Sequence, residues 1–304
     1  MSLLSKHNRP EGHSIWYTHG RVSSDYTTVG HVTVDVMADG SRRPGGGAFY
    51  SALQAARLGW RARIVTRGAR AEIEALLAPY AAELEIEIAE AEHTTTLGTS
   101  TSGGERSQRM LAWAGEMDSL TPLEATIVHF APVAHETGAR WRGHARFVGV
   151  TPQGLLRTWS RIGVRIRAQA LDPALLPQRC DAIVISSAER DSCAPLLKAP
   201  GDGIGDPLTP APVIAVTDSA GPTELYLPGG RTTRVPVAEI TRPRDDLGAG
   251  DVFAAAFFVA LAEGSPPQRA AVFANAAAAV RICGEGAAAI GDRAAITARV
   301  AAFN

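Results

Sequence analysis

RDDLGAGDVFAAAFFVALAEG, residues 244–264, is the stretch whose reading decides the fold. Gly248 and Gly250 flank Ala249, so the backbone can turn tightly and present consecutive N–H groups. From Asp251 to Glu263 there is neither Gly nor Pro, which predicts a helix opening at Gly250 and Asp251 and ending at Gly264. Its residues are apolar almost all round, the pattern of a helix buried on every side. A turn of N–H groups at a helix N-terminus binds anions. An aspartate there is either a dipole-matched cap or a carboxylate facing a site. The charged Arg244, Asp245 and Asp246 before it and the buried helix after it favour the second. Phosphoryl transfer accounts for both features: the turn holds developing negative charge, and Asp251 takes a proton from an attacking hydroxyl.

Working outward, the chain alternates strands and helices. Strands are expected at 26–37, 61–68, 84–90, 125–133, 146–152, 181–187 and 212–218. Helices are expected at 45–59, 71–83 with a break at Pro79, 250–263, 267–282 and 292–302. Residues 223–237 resemble an antiparallel hairpin at a sheet edge. This order implies an α/β domain with a mostly parallel sheet covered on both faces. Ligands in such sheets sit beyond the strand C-terminal ends, so loops at Asp35, Gly45, Ser186, Asp218 and Gly248 would share one rim. Residues 93–115 are rich in Thr, Ser and Gly and read as two short exposed strands joined at Ser-Gly-Gly, suited to cover that rim.

Composition bounds the chemistry. The chain has 304 residues, 45% apolar and 20% charged, with net charge −1, so neither a nucleic-acid nor a membrane partner is indicated. No apolar run has the length of a membrane span. Cys180, Cys193 and Cys283 are far apart and fit a reducing, cytoplasmic compartment. Lys6 and Lys198 are the two lysines, and neither follows a glycine, which removes a Walker A loop. GEGAAA from Gly284 has dinucleotide-fingerprint spacing but follows a helix, so it reads as a helix-ending turn. Residues 1–24 are polar and aperiodic and are expected to be an extension before a domain at 25–304.

Taken together, DDLGAGDVFAAAF (245–257), GHVTVDV (30–36), GGGAFYSALQAARLG (45–59), VTDSAGPTELY (216–226) and ANAAAAV (274–280) resemble the signatures of ribokinase-like (PfkB) carbohydrate kinases. HTTTLGTSTSGGERSQRML (93–111), HFAPVAHE (129–136) and VGVTPQGLLRTW (148–159) are similar to the short branch that includes myo-inositol kinases. The resemblance implies an α/β ribokinase-like three-layer sandwich, with a mostly parallel central sheet and a small β-strand lid near 36–44 and 93–115. It implies ATP and Mg²⁺ as cofactors, with monovalent-cation dependence open, and a sugar or polyol acceptor. The exposed strands of such a lid also allow a homodimer, by pairing between subunits.

The same resemblance assigns roles by position. Asp251 is the base, and Gly248, Ala249 and Gly250 are the anion hole. Asp35, Gly46, Gly47, Tyr50 and Arg109 lie toward the acceptor. Thr217, Gly221, Asp245 and Asn275 lie toward the nucleotide, and Glu189 and Ser186 toward the metal through water. Asp246, Ser186 and Tyr50 depart from the Thr, Asn and sugar-binding Asn of the family pattern. Two other readings stand beside this one: a nucleoside kinase using Phe49 and Tyr50 as a base pocket, and a non-catalytic ligand-binding regulator on the same fold. Glu189, Asp35 and Arg109 also suit solvated or capping roles, and His129 and His135 suit structural ones.

Overall fold

A computed structural model describes residues 25–102, 105–117, 121–198, 212–237, 240 and 242–302. The expected extension at 1–24 and the tip of the 93–115 hairpin lie outside them. The strands are β1 Asp25–Val29, β2 Thr33–Val36, β3 Arg42–Gly45, β4 Arg61–Gly68, β5 Leu84–Glu90, β6 Thr96–Ser102, β7 Glu105–Ala112, β8 Leu123–Phe130, β9 Gly143–Val150, β10 Arg157–Thr158, β11 Arg167–Ala168, β12 Ala182–Ser186, β13 Val213–Asp218, β14 Gly221–Leu227 and β15 Arg231–Val235. The α-helices are α1 Gly47–Arg57, α2 Arg70–Leu77, α3 Ala194–Lys198, α4 Ala249–Ala262, α5 Pro267–Ile282 and α6 Arg293–Ala301.

Nine strands form one sheet in the order β15-β14-β13-β12-β9-β8-β1-β4-β5. It is parallel from β13 to β5, and β14 and β15 add an antiparallel edge. A separate four-stranded sheet, β3-β2-β6-β7, forms the small layer. Side chains alternate between two cores. Ile127, Val184 and Ala215 face the core shared with α1, α4 and α5, whereas Val128, Ile183 and Val216 face the other. Helices dominate only the first face. The second is covered largely by residues 152–198, mostly irregular, with single 3₁₀ turns and α3, which the sequence did not reveal.

The stretch 26–37 is not one strand. Gly30, with φ 158°, breaks it, and β2 leaves the main sheet for the small one. A side chain at Gly30 would meet the Ala131 carbonyl oxygen at 2.3 Å, so only glycine passes there. Alternating polarity continues across the break, which hid it. Helix α4 is the central element: Val252 to Ala260 are all buried. A Cβ on Gly149 would come within 2.4 Å of the Phe258 ring, so β9 and α4 pack at backbone distance. This contact fixes the height at which Asp251, in the first turn of the helix, stands over the strand ends.

Candidate active site

The strand C-terminal ends, the start of α4 and the small sheet enclose a cleft of about 710 Å³. Its wall includes Asp35, Gly46, Gly47 and Tyr50, its floor Gly248, Gly250 and Asp251, and its far side Ser186 and Glu189. Distant stretches of sequence are therefore brought to one place.

Gly248 caps α4 in a left-handed conformation, φ 77°. A Cβ there would lie 2.4 Å from the Tyr50 ring. Glycine is needed both for the turn and for the close approach. The Ala249 N–H donates to the Asp246 carbonyl at 3.1 Å, closing the turn. Ala249 is thus occupied by the loop itself and does not line the cleft. Gly250 and Asp251 stand in the first helical turn, where no earlier helical carbonyl accepts their N–H groups. Of the turn expected at Gly248–Gly250 to hold an anion, the Ala249 N–H is thus already engaged, and Gly250 and Asp251 carry the N–H groups without a helical acceptor.

Burial pushes the Asp251 carboxyl up to about 7. Arg157 opposes that shift, and Glu189 and Asp35 add to it. Such a carboxylate is poised to exchange protons near neutrality. A Cβ on Gly47 would meet Asp251 Oδ1 at 2.8 Å, so Gly47 makes room for the carboxylate. Asp35 is buried on β2, where Thr33 Oγ1 donates to its Oδ1 at 2.9 Å. A Cβ on Gly45 would fall 2.5 Å from the same carboxyl group. Two glycines of GGGAFY thus make room for two carboxylates, while Gly46, φ 92°, carries the turn between them.

Ser186 and Glu189 form a capping box around a 3₁₀ turn. The Ser186 N–H donates to Glu189 Oε2 at 2.8 Å, which leaves Oε1 for the cleft. Among the described residues no group of three or more His, Cys, Asp or Glu side chains forms a metal cage. The hard oxygen donors of Glu189, Ser186 and Asp246 fit Mg²⁺ held chiefly by phosphate and water.

Other expected site residues are placed differently. Arg109 is exposed, donates to the Gly163 carbonyl at 3.4 Å and does not line the cleft. Alternation along β7 turns Gln108 inward instead. Asp245 turns away from the cleft and accepts from Leu247 N–H and Gly286 N–H, each at 2.9 Å. Asn275 Oδ1 accepts from Thr223 Oγ1 at 2.8 Å, and Thr217 Oγ1 donates to the Ile185 carbonyl at 3.3 Å. A Cβ on Gly221 would meet Asp218 Oδ2 at 2.5 Å. None of these four lines the cleft. Phe49 is fully buried against Tyr80, so it supplies no open aromatic pocket. His129 bridges Tyr26 and Thr151 in the core, and burial pushes its pKa down to about 3. His135 binds the Arg157 carbonyl oxygen.

Three residues escaped the sequence reading of the site. Arg157 and Gln153 line the cleft from the turn after β9. Glu136, 1% exposed, accepts from the N–H groups of His31 (2.8 Å), Val133 (2.7 Å) and Ala134 (2.6 Å). It ties the loop after β1 to the loop after β8. Polar residues just past strand ends were the available signal.

Residues 211–293 match the family described as pfkB family carbohydrate kinase. A 62-residue stretch is 45% identical to ribokinase of Bacillus subtilis (strain 168), covering 20% of this chain and 21% of that protein. The match thus spans about a fifth of the curated relative. Among solved structures, a pyrophosphate-dependent kinase in the ribokinase family, complexed with a pyrophosphate analog and myo-inositol, is 21% identical over 86% of this chain and 96% of its own, with TM-score 0.65. Arabidopsis thaliana ribokinase, complexed with ribose and ATP, is 16% identical over 91% and 99%, with TM-score 0.67. Methanocaldococcus jannaschii nucleoside kinase is 14% identical over 93% and 100%, also with TM-score 0.67. At these identities the structural likenesses speak for the fold. The chain therefore has a ribokinase-like fold, and its residues 211–293 carry the sequence signature of pfkB family carbohydrate kinases.

Proposed function

We propose that this protein transfers the γ-phosphoryl group of ATP to a hydroxyl of a sugar or polyol, an inositol-like one being favoured. The observation that carries the reading is Asp251: a carboxylate pushed up to about 7, at the N-terminus of a buried helix, in a cleft that Asp35 also lines. Asp35 would accept hydrogen bonds from acceptor hydroxyls, and Gly47 would let the acceptor approach Asp251. Asp251 takes the proton as the hydroxyl attacks. The Gly250 and Asp251 N–H groups, at the positive end of α4, stabilise charge on the phosphoryl oxygens. Mg²⁺, held near Glu189 and Ser186, would supply further charge neutralisation. The small sheet, through Leu97 and Gln108, screens the site from water.

Support for an inositol-like acceptor comes from the myo-inositol-bound structural neighbour and from the sequence branch. That neighbour's pyrophosphate dependence gives a second reading of the donor. It is favoured by Thr217 and Asn275, whose side chains are engaged within the protein rather than facing the cleft. The test is turnover on inositols, hexoses, pentoses and nucleosides with ATP or pyrophosphate and Mg²⁺, beside Asp251→Asn. Turnover on a polyol, lost in the variant, supports the reading. Turnover on nucleosides alone, or donor binding without turnover on any acceptor, refutes it.

A further inference from the structure

Four carboxylates line the cleft: Asp35, Glu189, Asp246 and Asp251. A phosphoryl group entering it meets their combined repulsion unless a cation stands among them. Helix-end N–H groups supply only partial charge. The arginines of the lining are Arg157, Arg165 and Arg167, and the latter two are exposed on the rim. Arg157 is the half-buried one.

Its position is tightly fixed. The backbone is held by the β10–β11 pairing, Arg157 opposite Ala168, and by His135 on its carbonyl. Its Nη1 donates to the Val133 carbonyl at 3.0 Å. Its Nη2 donates to Gln108 Oε1 and Gln153 Oε1, each at 3.0 Å. All three acceptors are neutral. Among the described residues this guanidinium forms no ion pair, and its Nε–H and second Nη1 proton have no protein acceptor. Burial lowers its pKa, while the carboxylates of Glu189, Asp35, Glu136 and Asp251 favour its charge. A guanidinium braced by neutral oxygens, with donors unused in an acidic cleft, is preorganised for an incoming anion.

We propose that Arg157 is a further catalytic residue, which binds the phosphoryl group in transit opposite the N-terminus of α4. Its hold on Gln108 of β7 also links occupancy of the anion site to the position of the small sheet. The inference rests on the phosphotransferase reading, so its test includes a readout that does not require turnover.

Pyrophosphate binding is measured by calorimetry on the wild-type protein, Arg157→Lys and Arg157→Gln, with melting temperature as the control for folding. The expected result is binding weakened by about thirtyfold or more in Arg157→Gln, with Arg157→Lys intermediate. Once an acceptor is known, Arg157→Gln should lower kcat about a hundredfold while acceptor KM moves less than about threefold. If Arg157→Gln does not fold, Arg157→Lys decides by the same readouts, with a loss of about tenfold expected. Wild-type protein that does not bind pyrophosphate, or substituted protein that binds it as well as wild type, overturns the proposal. Failure of wild-type turnover on every acceptor strikes the kinase reading instead and leaves the binding comparison intact.

Discussion

Arg281 Nη2 donates to Asp245 Oδ2 at 2.9 Å from a side chain that is fully buried. The same guanidinium reaches the carbonyls of Asp245 (3.1 Å) and Leu247 (2.7 Å) and lies over the Tyr50 ring, 5.8 Å from its centroid. This pair shapes the Gly-Ala-Gly turn from behind. Burial alone would raise the Asp245 carboxyl; the Leu247 and Gly286 N–H groups and Arg281 outweigh it and hold it below the usual range. Replacing Arg281 by Met leaves two carbonyls without their side-chain donor and the Asp245 carboxylate with only its two backbone N–H donors. The expected cost is about 3–5 kcal/mol in urea unfolding. Asp245 should stabilise the fold at neutral pH and lose that contribution only below about pH 4, as its depressed folded pKa is passed. A neutral change at either residue would mean the loop is held some other way.

Asp251 has the opposite sign. Its folded pKa stands above the unfolded value of 3.8, so folding is penalised by its charge as pH rises toward and past about 7. Activity should therefore fall as pH drops below about 7, while stability should gain. In Asp251→Asn, turnover should fall about a hundredfold or more. The melting temperature should rise at pH 8, and the difference should vanish near pH 4. A pH–rate profile flat from 5 to about 8 would remove Asp251 from the role of base.

What the sequence disclosed was what is local in the chain. The βα order, the helix at 249–262 and the glycine–aspartate turn depend on neighbours within a few residues. Roles that depend on distant partners stayed hidden. Asp245 and Asn275 carry ligand-binding residue types, yet they bind Arg281 and Thr223, 36 and 52 residues away. Arg157 and Gln108 meet across 49 residues and Glu136 and His31 across 105, separations with no signature in one sequence. Arg109 was preferred to Gln108 because charge is visible in sequence, whereas the phase of β7 is not.

Gly47→Ala separates site from scaffold. Gly47 is the first residue of α1, and alanine there suits a helix. The added methyl would meet Asp251 Oδ1 at 2.8 Å and the Ala131 side chain at 3.2 Å. Turnover should fall about tenfold or more through displacement of the carboxylate. Unfolding free energy should change by no more than about 1 kcal/mol. Loss of stability with full activity in the surviving folded fraction would refute the assignment.

Glu136 supports the site from outside the cleft. Its carboxylate accepts three backbone N–H groups on two loops and is almost wholly shielded from water. Glu136→Ala strands those donors in a buried place, each worth about 1–3 kcal/mol. The expected total is about 3 kcal/mol or more by urea unfolding. Glu136→Gln keeps the shape but turns one acceptor into a donor facing an N–H, so it should recover only part of the loss. Hydrogen exchange gives the local readout: amides of His31, Val133 and Ala134 should lose protection first in both variants. Equal protection in wild type and Glu136→Ala would show that these loops are held without the carboxylate.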